Sequence, residues 1–299
     1  MKKTEAAFKQ AGIEFERNYD LSKKACFKIG GRVRLLVSVK SERELSDAVK
    51  ILRKHKVRAG MFGCFTNVLI REGAIKEAYI VPAAALCGVR KLPRGRIWAG
   101  SGAKFSAVLS LAAREGLSGL EFMAGIPGSV GGAVYMNAGA YGCSSGTFVE
   151  SVGFADKTGA LKTLKNKKGM FGYRKSIFQK NKAFITGAVF KLKKGGKQAI
   201  LKKMKEIVKI RRAKHPWDAA CAGSFFKNPA EKTAGRIIEE AGLKGLRCGG
   251  AEVSKKHANF IINTGGAKYS DVIRLAAKVK KEVYKKTGIK LAEEVRYIR

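Results

Sequence analysis

The chain has 299 residues, 45% of them hydrophobic, which is enough to bury the cores of two or three small domains. Its 61 Lys and Arg residues against 23 Asp and Glu residues give a formal net charge of +38. No apolar run approaches the length that crosses a bilayer, and the first fifteen residues lack the apolar stretch of a secretion signal. These features exclude a membrane-spanning or disordered chain, and we expect a folded cytoplasmic protein.

The excess positive charge is spread along the chain rather than confined to one tail. Such a surface attracts polyanions, nucleic acid first among them, and it also steers anionic cofactors and substrates. No helix-turn-helix, zinc-finger or aromatic RNA-binding motif accompanies the charge, so we expect nucleic acid to bind only non-specifically. The six cysteines show neither a C-x-x-C pair nor a metal-ligand spacing, which predicts free thiols and no metal site: Cys26, Cys64, Cys87, Cys143, Cys221 and Cys248.

The first eighty residues alternate strand, helix and strand. Residues 33–39 are β-branched and apolar, which predicts a buried strand. Ser41 and Glu44 form a capping box, in which each side chain is expected to bind the backbone N–H of the other. The helix that follows has one apolar face, made of Leu45, Ala48, Val49 and Leu52. Short apolar segments at 58–62, 67–70 and 78–82 complete a small α/β unit.

The middle of the chain mixes helices and strands. An amphipathic helix is predicted over 105–115, and strands over 149–155 and 183–192. A basic helix over 197–213 leads to Pro216 and Trp217, where we place the entry to a last domain. The elements predicted there are a helix over 231–241, strands over 248–253 and 258–262, a helix over 271–286 capped by Ser270, and a strand over 294–298.

The densest chemical signal is the run AGIPGSVGGAVYMNAGAYG, residues 124–142, which contains six glycines. Glycine costs chain entropy, so a cluster indicates positive φ angles or backbone N–H groups brought close to an anion such as a pyrophosphate. Tight turns between short strands are the structural alternative, but they predict scattered glycines. The spacing matches neither the Rossmann fingerprint nor a P-loop. We therefore expect a dinucleotide held by another fold.

The longer run GLSGLEFMAGIPGSVGGAVYMNAGAYG, residues 116–142, resembles the signature of the UDP-N-acetylenolpyruvoylglucosamine reductase family, also called UDP-N-acetylmuramate dehydrogenases. Further blocks match the family in the same order from about residue 20 to the C-terminus, and the length is similar to its shorter subtype. These blocks are FKIGG at 27–31, FGYRKS at 171–176, GSFFKNP at 223–229, AGLKG at 241–245, KHANFIIN at 256–263 and EVR at 294–296.

The resemblance implies an α+β fold like that of vanillyl-alcohol-oxidase flavoproteins. Residues 1–82 and 83–205 would form two FAD-binding subdomains, and residues 206–299 an α+β substrate-binding domain. The implied activity is that of an FAD-dependent oxidoreductase acting on a CH–CH bond in peptidoglycan synthesis, which uses NADPH to reduce the enolpyruvyl ether of UDP-N-acetylglucosamine enolpyruvate to UDP-N-acetylmuramate. FAD would be held non-covalently, since the three histidines lie outside the stretches where related oxidases attach flavin, and the chain would work as a monomer.

The matched blocks also imply roles for individual residues. Ser224 would donate the proton to the substrate, Arg174 would bind the substrate carboxylate with its fork of donors, and Glu294 would orient a group or relay the proton. Substrate contacts would come from Tyr173, Lys227 and Asn228. The residues implied to bind the cofactor are Gly63, Thr66, Asn67, Gly125, Gly128, Ser129, Gly131 and Gly132.

One departure from the family pattern lies near the cofactor. Family members read Gly-x-Gly-Ser-Asn where this chain has Gly63, Cys64, Phe65, Thr66 and Asn67. A glycine there permits a positive φ or a close backbone approach, and Phe65 meets either requirement only at a steric cost. Two alternatives stay open at this point: a flavin oxidase or dehydrogenase of the same fold with another substrate, and a degenerate scaffold that binds polyanions such as RNA.

Overall fold

The computed structural model describes residues 2–299, and these divide between two compact units. The first unit contains the chain up to Tyr19 together with Val33–Cys64 and Lys76–Lys209. The second contains Asp20–Arg32, Phe65–Ile75 and Ile210–Arg299. Each unit is therefore assembled from segments that are distant in sequence, and the predicted division at residues 82 and 205 stays a prediction.

The described residues form helices and short strands in mixed order. The helices are α1 Lys2–Gln10, α2 Glu42–Lys54, α3 Phe105–Arg114, α4 Val130–Met136, α5 Ile177–Lys180, α6 Lys197–Lys214, α7 Ala234–Glu240 and α8 Tyr269–Thr287. The first strands are β1 Glu14–Asp20, β2 Arg32–Val39, β3 Ala59–Met61, β4 Val68–Ile70, β5 Ala74–Pro82, β6 Val89–Leu92, β7 Arg96–Gly100, β8 Leu117–Ser118, β9 Gly139–Ala140, β10 Cys143–Ser144 and β11 Val149–Ala155. The remaining strands are β12 Leu161–Lys165, β13 Phe171–Gly172, β14 Lys175–Ser176, β15 Phe184–Lys191, β16 Lys193–Lys194, β17 Ala220–Cys221, β18 Arg247–Cys248, β19 Ala251–Val253, β20 Ile261–Asn263 and β21 Arg296–Ile298.

The first unit contains two sheets, each with its own core. The first sheet has the order β1-β2-β5-β3, with β3 parallel to β5, and α2 packs its predicted apolar face into the core on this sheet. The second sheet, β12-β11-β15-β7-β6, is antiparallel throughout and shares a core with α3 and α4. The strands and helices predicted from apolar periodicity are thus confirmed in this unit, but the segment at 67–70, predicted as part of the same α/β unit, forms β4 of the second unit instead.

The cap of α2 differs from the prediction by one residue. Ser41 Oγ accepts a hydrogen bond from Glu44 N at 3.1 Å, as the capping box requires. Glu44 Oε2 instead accepts from Lys40 N, at 2.8 Å, rather than from Ser41 N. The side chain therefore reaches one residue further back and still satisfies a backbone donor at the helix entry.

The second unit is built on a small antiparallel sheet with the order β17-β20-β19-β18, against which α7 and α8 pack. The sequence predicted one strand over 248–253, and this is wrong, because Gly249 and Gly250 form a tight turn between β18 and β19. Gly249 has φ +55°, which glycine adopts without steric cost. In this unit β21 pairs in parallel with β4, which brings the last residues of the chain beside residues 68–70.

Helix boundaries in the second unit also differ from the sequence expectation. The predicted helix over 231–241 begins only at Ala234, whose N–H donates to Asn228 Oδ1 at 3.1 Å. Ser270 does not cap α8: the cap is Lys268, whose N–H donates to Asp271 Oδ2 at 3.0 Å. The end of α8 at Gly288, with φ +71°, agrees with the prediction. Within residues 2–299, none of the helices combines the length and the apolar character needed to span a bilayer.

A pair of histidines is packed in the second unit. The ring of His215 contacts those of His257 and Phe260, with centroids 5.1 and 5.0 Å away. Burial, together with the positive charges of His257 and Arg211, lowers the pKa of His215 to about 4. Burial also lowers the pKa of His257. The folded protein therefore keeps His215 neutral under mildly acidic conditions.

This packing predicts a pH dependence of stability. Between about pH 4 and about pH 6.5 the unfolded chain is protonated at His215 while the folded one is not, so the unfolded state binds more protons. The free energy of unfolding should fall as the pH drops through this window, by up to about 1.4 kcal/mol per pH unit for one proton. When the free energy of unfolding is measured by urea denaturation at several pH values, it should depend less steeply on pH in His215→Phe than in the parent. An equal pH dependence would show that His215 is protonated alike in the folded and unfolded states.

Candidate active site

The glycine-rich segment begins with a capped helix in the first unit. Ser129 Oγ accepts a hydrogen bond from Gly132 N at 3.2 Å and so caps the short helix α4. Gly125 and Gly128 precede the cap with φ of +77° and +154°, backbone conformations that other residues rarely adopt. These two of the six glycines of the segment, both located before the helix, therefore have the positive φ that the sequence predicts.

Close backbone approach accounts for two further glycines. A Cβ on Gly63 would lie 1.8 Å from Ser129 Oγ, and a Cβ on Gly131 would lie 2.9 Å from Ser101 Cβ. The N–H of Gly131 already donates to Ser101 O at 2.8 Å, so packing rather than a free donor explains this glycine. Beside it Ser101 Oγ is buried and has no hydrogen-bond partner among residues 2–299. The N–H groups of Val130, Gly131 and Gly132 already have partners, so it is the orphaned Ser101 hydroxyl beside the positive-φ glycines that fits the diphosphate of FAD.

A short hairpin in the same unit presents Tyr173 and Arg174. Strands β13 and β14 pair with Gly172 opposite Lys175, which leaves these two residues as the turn. Arg174 has φ +54° and donates from Nη2 to Gly139 O at 2.9 Å. Its guanidinium carbon lies 5.2 Å from the centroid of the Tyr173 ring, within cation–π distance. The turn therefore holds Arg174 against the end of the glycine-rich segment.

Asn137 fixes this hairpin to α4. It ends the helix with φ +46°, and its side chain donates to Gly172 O and accepts from Gly146 N, both at 2.8 Å. The residue is 5% exposed, so these hydrogen bonds are formed away from water. Because Gly172 directly precedes Tyr173, the amide of Asn137 sets the position of the turn that carries Arg174. Asn137 was not among the predicted site residues, although an Asn directly after a helix is a signal for such a cap.

Phe65, the residue that replaces the family's glycine, has φ +53°. Of the two requirements considered for a glycine at this position, positive φ or close backbone approach, the structure shows the positive φ. The side chain is only 6% exposed and packs inside the protein, and Phe65 O accepts from Cys26 N at 3.3 Å. The chain thus compensates the steric cost of a non-glycine residue with the burial of a large aromatic ring.

Ser224 and Glu294 lie on neighbouring antiparallel segments of the second unit. Phe226 forms a β-bridge with Glu293, and Glu294 N donates to Phe225 O at 2.8 Å. Both Phe225 and Phe226 are buried, at 0% and 1% exposure, while Ser224 and Glu294 are half-buried. Two residues separated by seventy positions are therefore brought together by a short ladder whose apolar side chains anchor it in the core.

Asn67 bonds the same ladder to the segment that is predicted to bind the cofactor. Its side chain donates to Glu294 O at 3.3 Å, and its backbone O accepts from Arg296 N at 3.1 Å. Thr66, beside it, is half-buried in the same unit. The segment predicted to bind the cofactor is thus bonded to the segment predicted to carry Glu294.

The predicted substrate residues of the second unit differ in their surroundings. Lys227 is half-buried, and its N–H donates to Ala292 O at 2.8 Å as part of the ladder. Asn228 is exposed and its side chain caps α7, which gives it a structural task as well. Within the first unit the structure brings together Gly63, Ser129 and Gly132, and separately Tyr173 and Arg174. The described residues contain no group of three His, Cys, Asp or Glu side chains that could hold a metal ion.

Two family models match the chain. The model described as the UDP-N-acetylenolpyruvoylglucosamine reductase C-terminal domain matches residues 215–298, and one described as an FAD binding domain matches residues 33–165. A reductase of that name from Anoxybacillus flavithermus is 37% identical over 300 residues, which cover 100% of this chain and 99% of that relative. One from Lactobacillus johnsonii is 39% identical over 290 residues, covering 97% of this chain and 96% of the relative.

Solved structures agree with these matches. The crystal structure of UDP-N-acetylenolpyruvylglucosamine reductase from Thermus caldophilus is 33% identical, covers 96% of this chain and 99% of its own, and superposes with a TM-score of 0.81. A variant of Phl p 4 described as a glucose oxidase is only 15% identical, with 65% of this chain and 44% of that chain covered and a TM-score of 0.51. The likeness to Phl p 4 concerns the fold alone. The two structural matches together confirm the predicted vanillyl-alcohol-oxidase-like α+β fold.

The geometry of Phe65 yields a prediction on stability. Replacing Phe65 with Gly removes a backbone strain of about 1–3 kcal/mol but also a buried ring, whose truncation costs about 3–5 kcal/mol. Phe65→Gly should therefore lower the free energy of unfolding by about 2 kcal/mol, measured by urea denaturation. Tyr141→Gly is the matched control, since Tyr141 has φ +53° but is 58% exposed, and it should cause little change or a small gain. A stabilised Phe65→Gly protein would show that strain outweighs packing.

Proposed function

The chain belongs to the UDP-N-acetylenolpyruvoylglucosamine reductase family, and we propose that Arg174, Ser224 and Glu294 carry its chemistry. It is an FAD-dependent oxidoreductase that uses NADPH to reduce the enolpyruvyl ether of UDP-N-acetylglucosamine enolpyruvate to UDP-N-acetylmuramate, in the synthesis of peptidoglycan precursors. The family relationship spans nearly the full length of this chain and of its relatives, which leaves no observation in favour of a flavin oxidase with another substrate or of an RNA-binding scaffold.

The observation that carries the assignment is the ladder that pairs the Ser224 segment with the Glu294 segment. The hydrogen bond from Glu294 N to Phe225 O, at 2.8 Å, holds a hydroxyl and a carboxylate on adjacent backbone segments. Both residues are partly accessible at the edge of a buried core. A hydroxyl is a weak acid, so it donates a proton efficiently only where it is held in place and where nearby groups stabilise the developing charge.

Each residue has a separate task in this proposal. Bound FAD supplies the hydride transfer from NADPH to the enolpyruvyl group of the substrate. Ser224 donates the proton that the substrate carbon next to the carboxylate requires, and Glu294 orients the donor or relays a proton to it. Arg174 binds the substrate carboxylate with its planar fork of donors and so stabilises negative charge on that side of the reacting centre.

The cofactor and substrate residues follow from the same family match. We propose that FAD is held non-covalently by residues of the 1–82 and 83–205 subdomains and that residues 206–299 bind the UDP-sugar with Lys227 and Asn228, joined by Tyr173. The orphaned hydroxyl of Ser101 and the positive-φ glycines before α4 support the cofactor part. The residues proposed to line the FAD site are Gly63, Thr66, Asn67, Gly125, Gly128, Ser129, Gly131 and Gly132.

We also propose that the enzyme works as a monomer in the cytoplasm. None of the six cysteines forms a disulfide in the described residues, as a reducing compartment predicts. The charge of +38 supports the attraction of the anionic NADPH and UDP-sugar, and it disfavours self-association through like-charge repulsion. Analytical ultracentrifugation at low and physiological salt measures the mass in solution, and a dimer at both would contradict the monomer.

The proton-donor role predicts a selective defect in one half of the reaction. Under anaerobic conditions NADPH should bleach the flavin absorbance of Ser224→Ala as fast as that of the parent, while the return of colour on adding the enolpyruvyl sugar should slow by about 10²–10⁴-fold, the usual contribution of a positioned acid. Stopped-flow absorbance separates the two steps. Ser270→Ala makes the same change at an exposed serine of the second unit and should alter neither step. Parental colour return in Ser224→Ala would remove Ser224 from proton transfer.

The carboxylate-binding role predicts that Arg174→Lys is not a conservative change. An ammonium cannot form two parallel hydrogen bonds to a carboxylate, and hydrogen bonds to charged groups contribute about 1.5–3 kcal/mol, so kcat/KM for the enolpyruvyl sugar should fall by about 10–100-fold. Steady-state kinetics with varied substrate measure the loss. Arg43→Lys, whose side chain is 93% exposed in the first unit, is the matched control. An unchanged kcat/KM in Arg174→Lys would place Arg174 outside the site.

A further inference from the structure

We propose that Asn259 is a positioning residue for proton transfer, which holds Ser224 in place relative to Glu294 through hydrogen bonds on both sides of Phe226. This inference deepens the proposed function and rests on the proposed role of Ser224. Asn259 lies in the block KHANFIIN and does not itself belong to the group of residues assigned to the chemistry.

Asn259 makes three hydrogen bonds to two consecutive residues of the Ser224 segment. Its backbone O accepts from Phe225 N at 2.7 Å, and its Oδ1 accepts from Phe226 N at 2.9 Å. Its Nδ2 donates to Phe226 O at 2.8 Å. The side-chain amide therefore pairs with both polar groups of Phe226, in the way that a neighbouring β-strand would.

The opposite side of the same segment is bonded to the Glu294 segment. Phe225 O accepts from Glu294 N, so three of the four backbone groups of Phe225 and Phe226 are bound by Asn259 and the fourth by Glu294. Gly223, with φ +76°, turns the chain immediately before Ser224. The position of Ser224 thus depends on the two residues that follow it, and those are held between Asn259 and Glu294.

Burial makes these hydrogen bonds necessary. Phe225, Phe226 and Asn259 are 0%, 1% and 3% exposed, so water cannot replace a lost partner without a rearrangement of the core. A buried backbone group left without a partner costs about 1–3 kcal/mol. The segment would relieve that cost by moving, and a shift of about 1 Å in a catalytic group can slow a reaction by about 10²-fold.

Asn259 is itself held rigidly. Its N–H donates to His257 Nδ1 at 3.2 Å, and the ring of His257 packs against Gly235, where a Cβ would lie 2.9 Å from His257 Cε1. An amide of this length also presents a donor and an acceptor side by side without a change of protonation state. A carboxylate in the same place would accept from Phe226 N but would face Phe226 O with a lone pair.

The test uses Asn259→Asp in the FAD-loaded enzyme. Bleaching by NADPH should stay close to the parental rate, while colour return with the enolpyruvyl sugar should slow by about 10²-fold near neutral pH. Burial beside Phe226 O raises the pKa of the introduced carboxyl, and its protonated form donates to Phe226 O as the amide does. The variant-to-parent ratio of the colour-return rate should therefore rise as the pH is lowered from mildly alkaline to mildly acidic. A purely structural role would slow the bleaching step as well, with the same pH dependence in both steps.

Two controls accompany this variant. Asn263→Asp also removes a side-chain donor in the same sheet, the one that binds Phe27 O at 3.0 Å, and it should leave both steps and their pH ratio unchanged. If Asn259→Asp does not fold, Asn259→Gln keeps both hydrogen-bonding groups but displaces them by one methylene, and the same selective loss in colour return is expected. Hydrogen exchange measured by mass spectrometry on the FAD-free protein should show faster exchange in residues 224–227 for Asn259→Asp but not for Asn263→Asp.

The outcomes separate this inference from the proposed function. Equal slowing of both steps in Asn259→Asp, or slowing without pH-dependent rescue, would overturn the positioning role while Ser224→Ala still identified the proton donor. A Ser224→Ala enzyme with parental colour return would instead overturn the proposed function, and the inference with it. If both hold, the double variant Ser224→Ala/Asn259→Asp should be little slower than Ser224→Ala, because Asn259 acts through Ser224. Fully multiplicative effects would overturn the positioning role.

Discussion

The buried backbone of Phe225 and Phe226 imposes the constraint on which the part of the second unit that carries Ser224 and Glu294 depends. Two aromatic rings with almost no exposure pull this segment into the core, and the core must then supply partners for its N–H and C=O groups. Asn259 supplies them on one side and residues 292–294 on the other. The same hydrogen bonds that satisfy the buried polar groups therefore hold the Ser224 segment and the Glu294 segment side by side.

In the first unit, backbone conformation rather than a ladder of hydrogen bonds positions the residues predicted to bind cofactor or substrate. Gly125, Gly128 and Arg174 all adopt positive φ there, as Phe65 does in the second unit, and each lies at a turn that the resemblance connects with cofactor or substrate. Strain of this kind persists only where the surroundings hold it, and it is common at binding sites. Phe65 shows how the chain tolerates a bulky residue in such a place: the ring is buried, and the packing it gains opposes the cost of the backbone conformation.

The large positive charge acts on both units without fixing either fold. Carboxylates are scarce, and many of them bind a cation: Lys91 donates to Glu115 at 2.6 Å and thereby lowers the pKa of that carboxyl, and Arg274 binds Asp271 at 2.7 Å. Pairs of this kind on an exposed surface contribute little to stability. The uncompensated lysines and arginines instead create a field that raises the local concentration of anionic ligands such as NADPH and a UDP-sugar.

The sequence by itself determined the family and the elements with strong apolar periodicity. These follow from local rules, since a strand such as 33–39 or the apolar face of α2 can be read from neighbouring residues alone. Only the tertiary structure decided that Gly249 and Gly250 split a predicted strand, that Lys268 rather than Ser270 caps α8, and that each unit is assembled from distant segments. It also decided the hydrogen bonds of the Asn259 side chain, whose partner Phe226 is 33 positions away. Hydrogen bonds between remote segments leave no periodic trace in the chain, because they depend on which buried backbone groups lack a partner once the core has formed.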